Sequence, residues 1–280
     1  MADRGDAAPT VAIVGLGLIG GSLARDLAAR GWRVLAADPD AGALARAREA
    51  GVVREALDAS LAGARAADVI VLCTPLDAMG PLLRALAPHV RADAVVTDVG
   101  SCKGLVADEA VAAGLGDRFV GSHPLAGDHR SGWDASREGM FAGARVFVTP
   151  VAGTPPALVE RVLGWWAALG ATGVVLDARA HDAQMAWVSH LPQVASSAVA
   201  AALAGAGEPR AALGRGGTDV TRLAGSSPEM WSAIALSNAE PIAGTVRALR
   251  DRLDAFDAAL AARDGEALRR WFAVGRDWAG

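Results

Sequence analysis

Residues 121–127 read Gly-Ser-His-Pro-Leu-Ala-Gly, placing His123 between a serine and a proline with glycines on either side. Glycine permits close backbone approach and Pro124 fixes a φ angle, so the segment reads as a short rigid loop outside any helix or strand. Such a loop can hold an imidazole still in a cleft. A held, neutral imidazole can accept the proton of a hydroxyl whose carbon is losing hydride. Taken alone, the segment fits a structural turn histidine equally well. Three more segments carry side chains able to do chemistry. They are Asp98-Val-Gly-Ser-Cys-Lys103, His181-Asp182 running on to Ser189-His-Leu-Pro192, and Thr218-Asp-Val-Thr-Arg-Leu-Ala224 followed by Pro228-Glu-Met-Trp231.

Roughly a hundred residues before His123, a short apolar strand at 11–14 enters Gly15-Leu-Gly-Leu18-Ile19-Gly20. Gly15, Gly17 and Gly20 fit the dinucleotide fingerprint. The first makes the turn, the second admits the pyrophosphate, and the third packs helix on strand. The helix that follows points its amino end at the phosphates. Asp38 ends the second strand, placed to accept from the ribose hydroxyls and to repel a 2′-phosphate, and Pro39-Asp40 supplies no arginine for one. NAD is therefore expected over NADP. Thr74-Pro75 ends the strand at 68–73 and is expected at the carboxyl edge beside the cofactor; an ordinary strand-ending turn is the alternative.

The elements that must position these groups alternate. Strands at 11–14, 33–37, 68–73, 94–97 and 118–120 are separated by helices at 22–30, 41–50, 77–87 and 103–113. Strands at 144–148 and 173–176 then flank a helix at 156–169. This pattern predicts a doubly wound parallel sheet covered on both faces. From Ala180 onward the chain reads as helical, with breaks at 205–207, 214–217 and 225–228, and Leu249, Leu253, Phe256 and Leu260 recur at helix spacing. The expected fold is α/β, with a dinucleotide-binding domain over 1–178 and an all-helical domain over 179–280 that binds substrate and pairs two subunits into a homodimer. Residues 1–9 read as a disordered lead. A cleft between the domains would gather all four segments.

The chain has 280 residues, a net charge of −4 and 52% hydrophobic residues, enough for one large or two ordinary domains. There is no basic patch for nucleic acid, no run long enough for a membrane span and no signal-peptide pattern, so a cytoplasmic protein is expected. Cys73 and Cys102 are too few for a disulfide framework or a cysteine-rich zinc site, and no metal is expected. Lys103 is the sole lysine and Asn238 the sole asparagine, which marks both as positions where an otherwise avoided residue is retained.

In this order, the four segments and the fingerprint resemble the prephenate/arogenate dehydrogenase family of tyrosine biosynthesis over nearly the whole chain. The resemblance implies NAD-dependent oxidative decarboxylation of prephenate to 4-hydroxyphenylpyruvate, or of arogenate to tyrosine. It implies His123 as acceptor for the ring hydroxyl and Ser101 as the group that orients that hydroxyl and the imidazole. Arg222 would bind a substrate carboxylate, with Ser189, His190, His181 and Gln193 lining the pocket. Each has a plainer alternative. Ser101 could cap a helix, Ser189 and His190 could repair the kink at Pro192, Arg222 could pair at the surface, and His181 could merely begin a helix. Lys103 could be a solvated helix residue. Trp231, His89, Trp271 and Trp278 read as structural.

Two positions depart from the family pattern. Gln193 stands where Ser-His-Leu-Pro is often followed by histidine, and Gly127-Asp-His-Arg-Ser-Gly132 replaces Gly-Thr-Glu-Lys-Ser-Gly, putting Asp128 and His129 near the site. Other two-domain hydroxy-acid or imine dehydrogenases usually place a catalytic lysine in the helical domain, and this chain has none beyond 103. A non-catalytic NAD-binding protein would not need Ser101, His123 and Arg222 together.

Overall fold

The structure is a computed structural model that describes residues 8–127 and 130–280. The chain divides into two compact units, Met1–Asp182 with Ser226–Asn238, and Ala183–Gly225 with Ala239–Gly280. In the first unit the elements run β1 (Thr10–Val14), α1 (Leu18–Ala29), β2 (Arg33–Ala37), α2 (Ala41–Glu49), β3 (Glu55–Ala56), β4 (Val69–Leu72) and α3 (Leu76–Leu86). They continue through β5 (Val95–Asp98), α4 (Gly104–Ala112), β6 (Val120–Pro124), β7 (Arg145–Pro150), α5 (Pro156–Ala168) and β8 (Thr172–Val175).

Five strands form a parallel sheet in the order β3-β2-β1-β4-β5, and β6-β7-β8 form a three-stranded sheet. A parallel bridge from Val96 to Phe119 links the two. The central strands are apolar on both faces because both are covered. Along β1, Val11 and Ile13 enter one core with Leu23 and Leu27 of α1 and Trp166 of α5, while Ala12 and Val14 enter another with Met79 and Leu83 of α3 and Val106 of α4.

Three expectations need correction in this unit. α1 begins at Leu18 directly after the turn, not near residue 22. The two-residue strand β3 has no apolar run to announce it. His123 lies on a strand, not a loop, and that strand runs antiparallel to β7, so the sheet is not wholly parallel. Gly121 makes the pairing possible, since a Cβ there would sit 2.5 Å from Thr149 Oγ1 of β7. Pro124 is tolerated because it ends β6, where the missing N–H removes no interior rung. The lead expected at 1–9 lies, through residue 7, outside the described residues, and β1 has begun by Thr10.

Beyond β8 the chain is helical. α6 (Ala178–Met185) passes through a π-helical turn at Ala186–His190 into α7 (Leu191–Gly205), followed by α8 (Arg215–Val220), α9 (Pro228–Ser237), α10 (Ala239–Ala261) and α11 (Gly265–Ala279). α9 belongs with the first unit, where Ile234 enters the second core. The expected break at 214–217 is instead the start of α8. Gly214 is its extended N-cap, and Thr218 N–H and Thr221 Oγ1 donate to the carbonyls of Gly214 and Gly217. In the second unit Phe256 of α10 packs on Trp271 and Phe272 of α11, with ring centroids 4.9 and 5.8 Å apart. No described helix is long and apolar enough to cross a membrane.

The join between β5 and β6 is ionic and fully buried. Asp98 accepts from Gly100 N–H at 2.8 Å and from Ser122 N–H at 3.2 Å. Lys103 Nζ pairs with the same carboxylate and donates to the Ser122 carbonyl at 2.8 Å, and both charged side chains are 0% exposed. Removing one partner leaves the other charge buried and uncompensated, which costs about 3–5 kcal/mol. Lys103→Met should lose that much in urea unfolding, and the double variant with Asp98→Asn should lose less than the sum of the two single changes. A loss below about 1 kcal/mol in the single variant would show that the pair does not hold the join.

Candidate active site

The glycine-rich turn leaves β1 with Gly15 at φ +99°, its N–H donating to the Ala37 carbonyl at 2.8 Å. A Cβ on Gly15 would meet the Cys73 carbonyl oxygen at 2.5 Å, and one on Gly20 would run into the carbonyl of Gly15. Packing alone therefore demands those two glycines. Gly17 is different, because a Cβ there would touch nothing within 4 Å. What a side chain at Gly17 would obstruct is the open space over the amino end of α1, which no side chain of its N-cap closes. Leu18 and Ile19 begin α1 and pack against the first core. Asp38 accepts from Leu16 N–H at 2.5 Å and from Asp40 N–H at 2.7 Å, tying the end of β2 to the turn. Thr74 Oγ1 is buried and has no hydrogen-bond partner among the described residues, while Pro75 is the extended residue that leads into α3. A buried hydroxyl costs free energy unless it is bonded, so a polar ligand group beside Thr74 fits the turn. Open backbone at a helix amino end, a carboxylate at the end of β2 and an unsatisfied hydroxyl suit a dinucleotide.

The second cluster centres on His123, which the ladder sets opposite Phe147 of β7. Its Nδ1 lies 2.9 Å from His181 Nε2. His181 is 0% exposed, and its Nδ1 lies 2.8 Å from Asp182 Oδ1. Asp182 also accepts from the main-chain N–H groups of Lys103 and Gly104, both at 2.7 Å. Those two amides open α4, so Asp182 supplies the cap that Lys103, the N-cap residue itself, does not. Burial opposes the charge of Asp182, but the hydrogen bonds from His181 and the two amides outweigh it and hold the carboxyl below its ordinary range. Asn238 Nδ2 donates to the Asp182 carbonyl at 2.8 Å, fixing the backbone under the carboxylate. His181, expected at the pocket wall, is thus enclosed beneath His123 with both ring nitrogens bonded.

Ser101 is half-buried in the turn before α4, which it does not cap. Ser122, next to His123, points to the other face of β6, where its Oγ meets Thr97 Oγ1 at 2.9 Å and accepts from Trp166 Nε1 at 3.0 Å. The two thiols are no nucleophiles. Burial pushes Cys73 far above the ordinary thiol range and Cys102 up to about 12, so neither is a thiolate near neutral pH. No group of three or more His, Cys, Asp or Glu among the described residues is arranged to hold a metal ion. Asp128 and His129 lie outside the described residues.

In the second unit, Ser189 and His190 end the π-helical turn, with His190 buried and Ser189 half-buried. The extra residue of such a turn absorbs the main-chain misfit that Pro192 creates upstream. Gln193 is buried and donates to the Leu223 carbonyl at 2.8 Å. Ser196 Oγ accepts from Ala224 N–H at 3.2 Å. Together they pin to α7 the segment that carries Arg222, whose own side chain is exposed. Gln193 thus touches the backbone beside Arg222, a positioning contact not foreseen for it.

Asp182 and Asn238 join the cluster around His123, and Ser196 the segment of Arg222, without being expected there. Asn238 was marked by being the sole asparagine, and Asp182 by following His181, but neither signal carried a role. The two readings of the glycines separate by substitution. Gly20→Ala should cost stability by forcing α1 off the turn, about 1–3 kcal/mol or more. Gly17→Ala should stay within about 1 kcal/mol of wild type, yet weaken dinucleotide binding at least tenfold by calorimetry. Unchanged binding would remove Gly17 from the cofactor site.

Comparisons with known proteins place the chain in a family. Residues 23–175 match the nucleotide-binding domain of prephenate dehydrogenase, and residues 177–274 match its dimerization domain. The chain is 32% identical to a cyclohexadienyl dehydrogenase of Zymomonas mobilis over 94% of its own length and 92% of the relative's. It superposes on a prephenate dehydrogenase of Aquifex aeolicus solved with hydroxyphenyl propionate and NAD+, with TM-score 0.88, 27% identity and 99% of each chain covered. An arogenate dehydrogenase of Synechocystis gives TM-score 0.82 and 31% identity, covering 97% of this chain and all of the other. A nucleotide-binding turn, a histidine held by a second histidine and a carboxylate, and these matches over both halves lead to one assignment: the chain belongs to the prephenate dehydrogenase family.

Proposed function

We propose that this oxidoreductase carries out the NAD-dependent oxidative decarboxylation of prephenate to 4-hydroxyphenylpyruvate and CO2. The observation that supports the reading is the hydrogen-bond chain from His123 through His181 to Asp182, which suits an imidazole that is to act as a base. The residues of the turn fit NAD: Gly15, Gly17 and Gly20 for the pyrophosphate, Asp38 for the ribose, and Thr74 at the carboxyl edge of the sheet. Held there, NAD would supply the hydride acceptor.

The substrate ring carries a hydroxyl and a hydrogen on one carbon and a carboxylate on the opposite carbon. As hydride leaves, His123 takes the hydroxyl proton and the C–O bond becomes a carbonyl. The carbon–carboxylate bond then breaks, its electron pair makes the ring aromatic, and the oxygen becomes a phenolate. His123 can return the proton to that oxygen, so the reaction needs no net proton donor. Aromatisation supplies the driving force and the protein supplies position and charge. Ser101 would orient the hydroxyl and Arg222 would take a substrate carboxylate in a two-point contact. Ser189 and His190 would line the pocket, and Gln193 would hold the Arg222 segment in place.

Arogenate, which carries an amine where prephenate has a keto group, is the second reading. It is favoured by the likeness to the Synechocystis enzyme. A homodimer through the second unit is part of the proposal, since that unit leaves Leu260, Phe272 and Trp278 exposed and its profile is a dimerization domain. Light scattering should return twice the chain mass.

The purified protein should reduce NAD when given prephenate, and more slowly with arogenate or NADP. Absorbance of the reduced nicotinamide follows all three. Absence of turnover with either substrate would refute the function, and a preference for NADP would refute the role of Asp38. His123→Asn should lower kcat about 10²–10⁴-fold with NAD affinity retained. Arg222→Ala should act mainly on KM for the substrate.

A further inference from the structure

We propose that Asp182 and His181 are positioning residues that fix the tautomer of His123, so that its Nε2 is the base. The proposal rests on the reading of His123 given above and adds how the protein decides which ring nitrogen is basic.

The argument starts at the amino end of α4. Lys103 N–H and Gly104 N–H can only donate, and Asp182 accepts both at 2.7 Å. A carboxylate offers one oxygen to each main-chain donor and a further lone pair on Oδ1 to His181 Nδ1 at 2.8 Å, and these hydrogen bonds hold the group below its ordinary carboxyl range. Asp182 is therefore ionised and His181 Nδ1 carries a hydrogen. His181 is 0% exposed and packs edge-on against Phe147, with ring centroids 5.2 Å apart, and we take its ring as neutral. A neutral His181 with hydrogen on Nδ1 has its lone pair on Nε2. That nitrogen lies 2.9 Å from His123 Nδ1, so the hydrogen between them belongs to His123 Nδ1. The lone pair of neutral His123 is then on Nε2. Each assignment leads to the next, and the first rests on two backbone donors that cannot be reversed together with a carboxyl held below its ordinary range. When His123 takes a proton, its Nδ1–H still points at His181, and the Asp182 charge lies one ring further on.

Neither residue touches the reacting atoms, so the test must read more than lost activity. Nitrogen-15 spectra of histidine-labelled wild type, without substrate, should show His123 protonated at Nδ1 and bare at Nε2. Asp182→Asn keeps one oxygen for two amides that bond to different carboxylate oxygens, so its NH2 group must face the N–H of Gly104 or that of Lys103, and the charge that fixes the hydrogen on His181 Nδ1 is gone. Its kcat should fall about 10³-fold, with substrate KM and NAD affinity within about threefold of wild type. His181→Phe keeps the ring shape without its nitrogens and should lower kcat about 10²-fold even if the Asp182 variant does not fold. The proposal is overturned if resting His123 carries its hydrogen on Nε2, if His181 is doubly protonated, or if either variant, folded, keeps wild-type kcat. The spectrum needs no turnover, so failure of the tautomer assignment is distinguishable from failure of the proposed reaction.

Discussion

The carboxylate of Asp182 at the amino end of α4 is the interaction on which the candidate site depends. A helix begins with N–H groups that have no partner inside it, and its amino end carries partial positive charge. The sequence before α4 offers no side chain that bonds back to those groups, so the cap arrives from residue 182 in α6. That choice places residue 181 beneath His123. Asn238 secures the same residue from the other side, through its carbonyl. The sole lysine and the sole asparagine of the chain thus both meet Asp182, one through its backbone and one through its side chain. Buried polar networks rigidify when every member is satisfied and are costly when one is lost.

β6 serves two networks because successive residues of a strand face opposite ways. Ser122 points into the packed interior, toward Trp166 and Thr97, and its main chain is clamped by Asp98 and Lys103. His123 points to the opposite face and to His181. The buried ion pair fixes the strand, and the strand fixes where the imidazole begins. In the second unit, Gln193 stands where the family resemblance leads one to expect histidine. It keeps a donor on the Leu223 carbonyl at any pH, so the backbone beside Arg222 is held without an ionisable group.

Much of this is legible in the sequence where the cause is local. Apolar strands alternating with amphipathic helices give the doubly wound sheet, and the glycine spacing gives the turn over α1. What is not legible has distant causes. β6 reads as a loop because glycine, serine and proline lack strand propensity, yet Gly121 is there to let β7 approach. The reach from Asp182 to α4 crosses 79 positions and leaves no periodic mark. His181 and Asp182 are adjacent in a helix, where neighbouring side chains do not ordinarily face each other, so helix spacing does not predict their bond. The π-helical turn is hinted at only by a proline inside a helical pattern. The glycines at 214–217 mislead in the opposite direction, because Thr221 holds a short helix through them.

The proposed reaction asks for a base at His123 without saying which of its nitrogens is basic; the cap on α4 supplies that answer. Neutron diffraction from crystals exchanged into heavy water locates these hydrogens directly. The account predicts deuterium on Nδ1 of both His123 and His181 and none on either carboxylate oxygen of Asp182. Deuterium on His123 Nε2 with Nδ1 bare, or on Asp182, would contradict it.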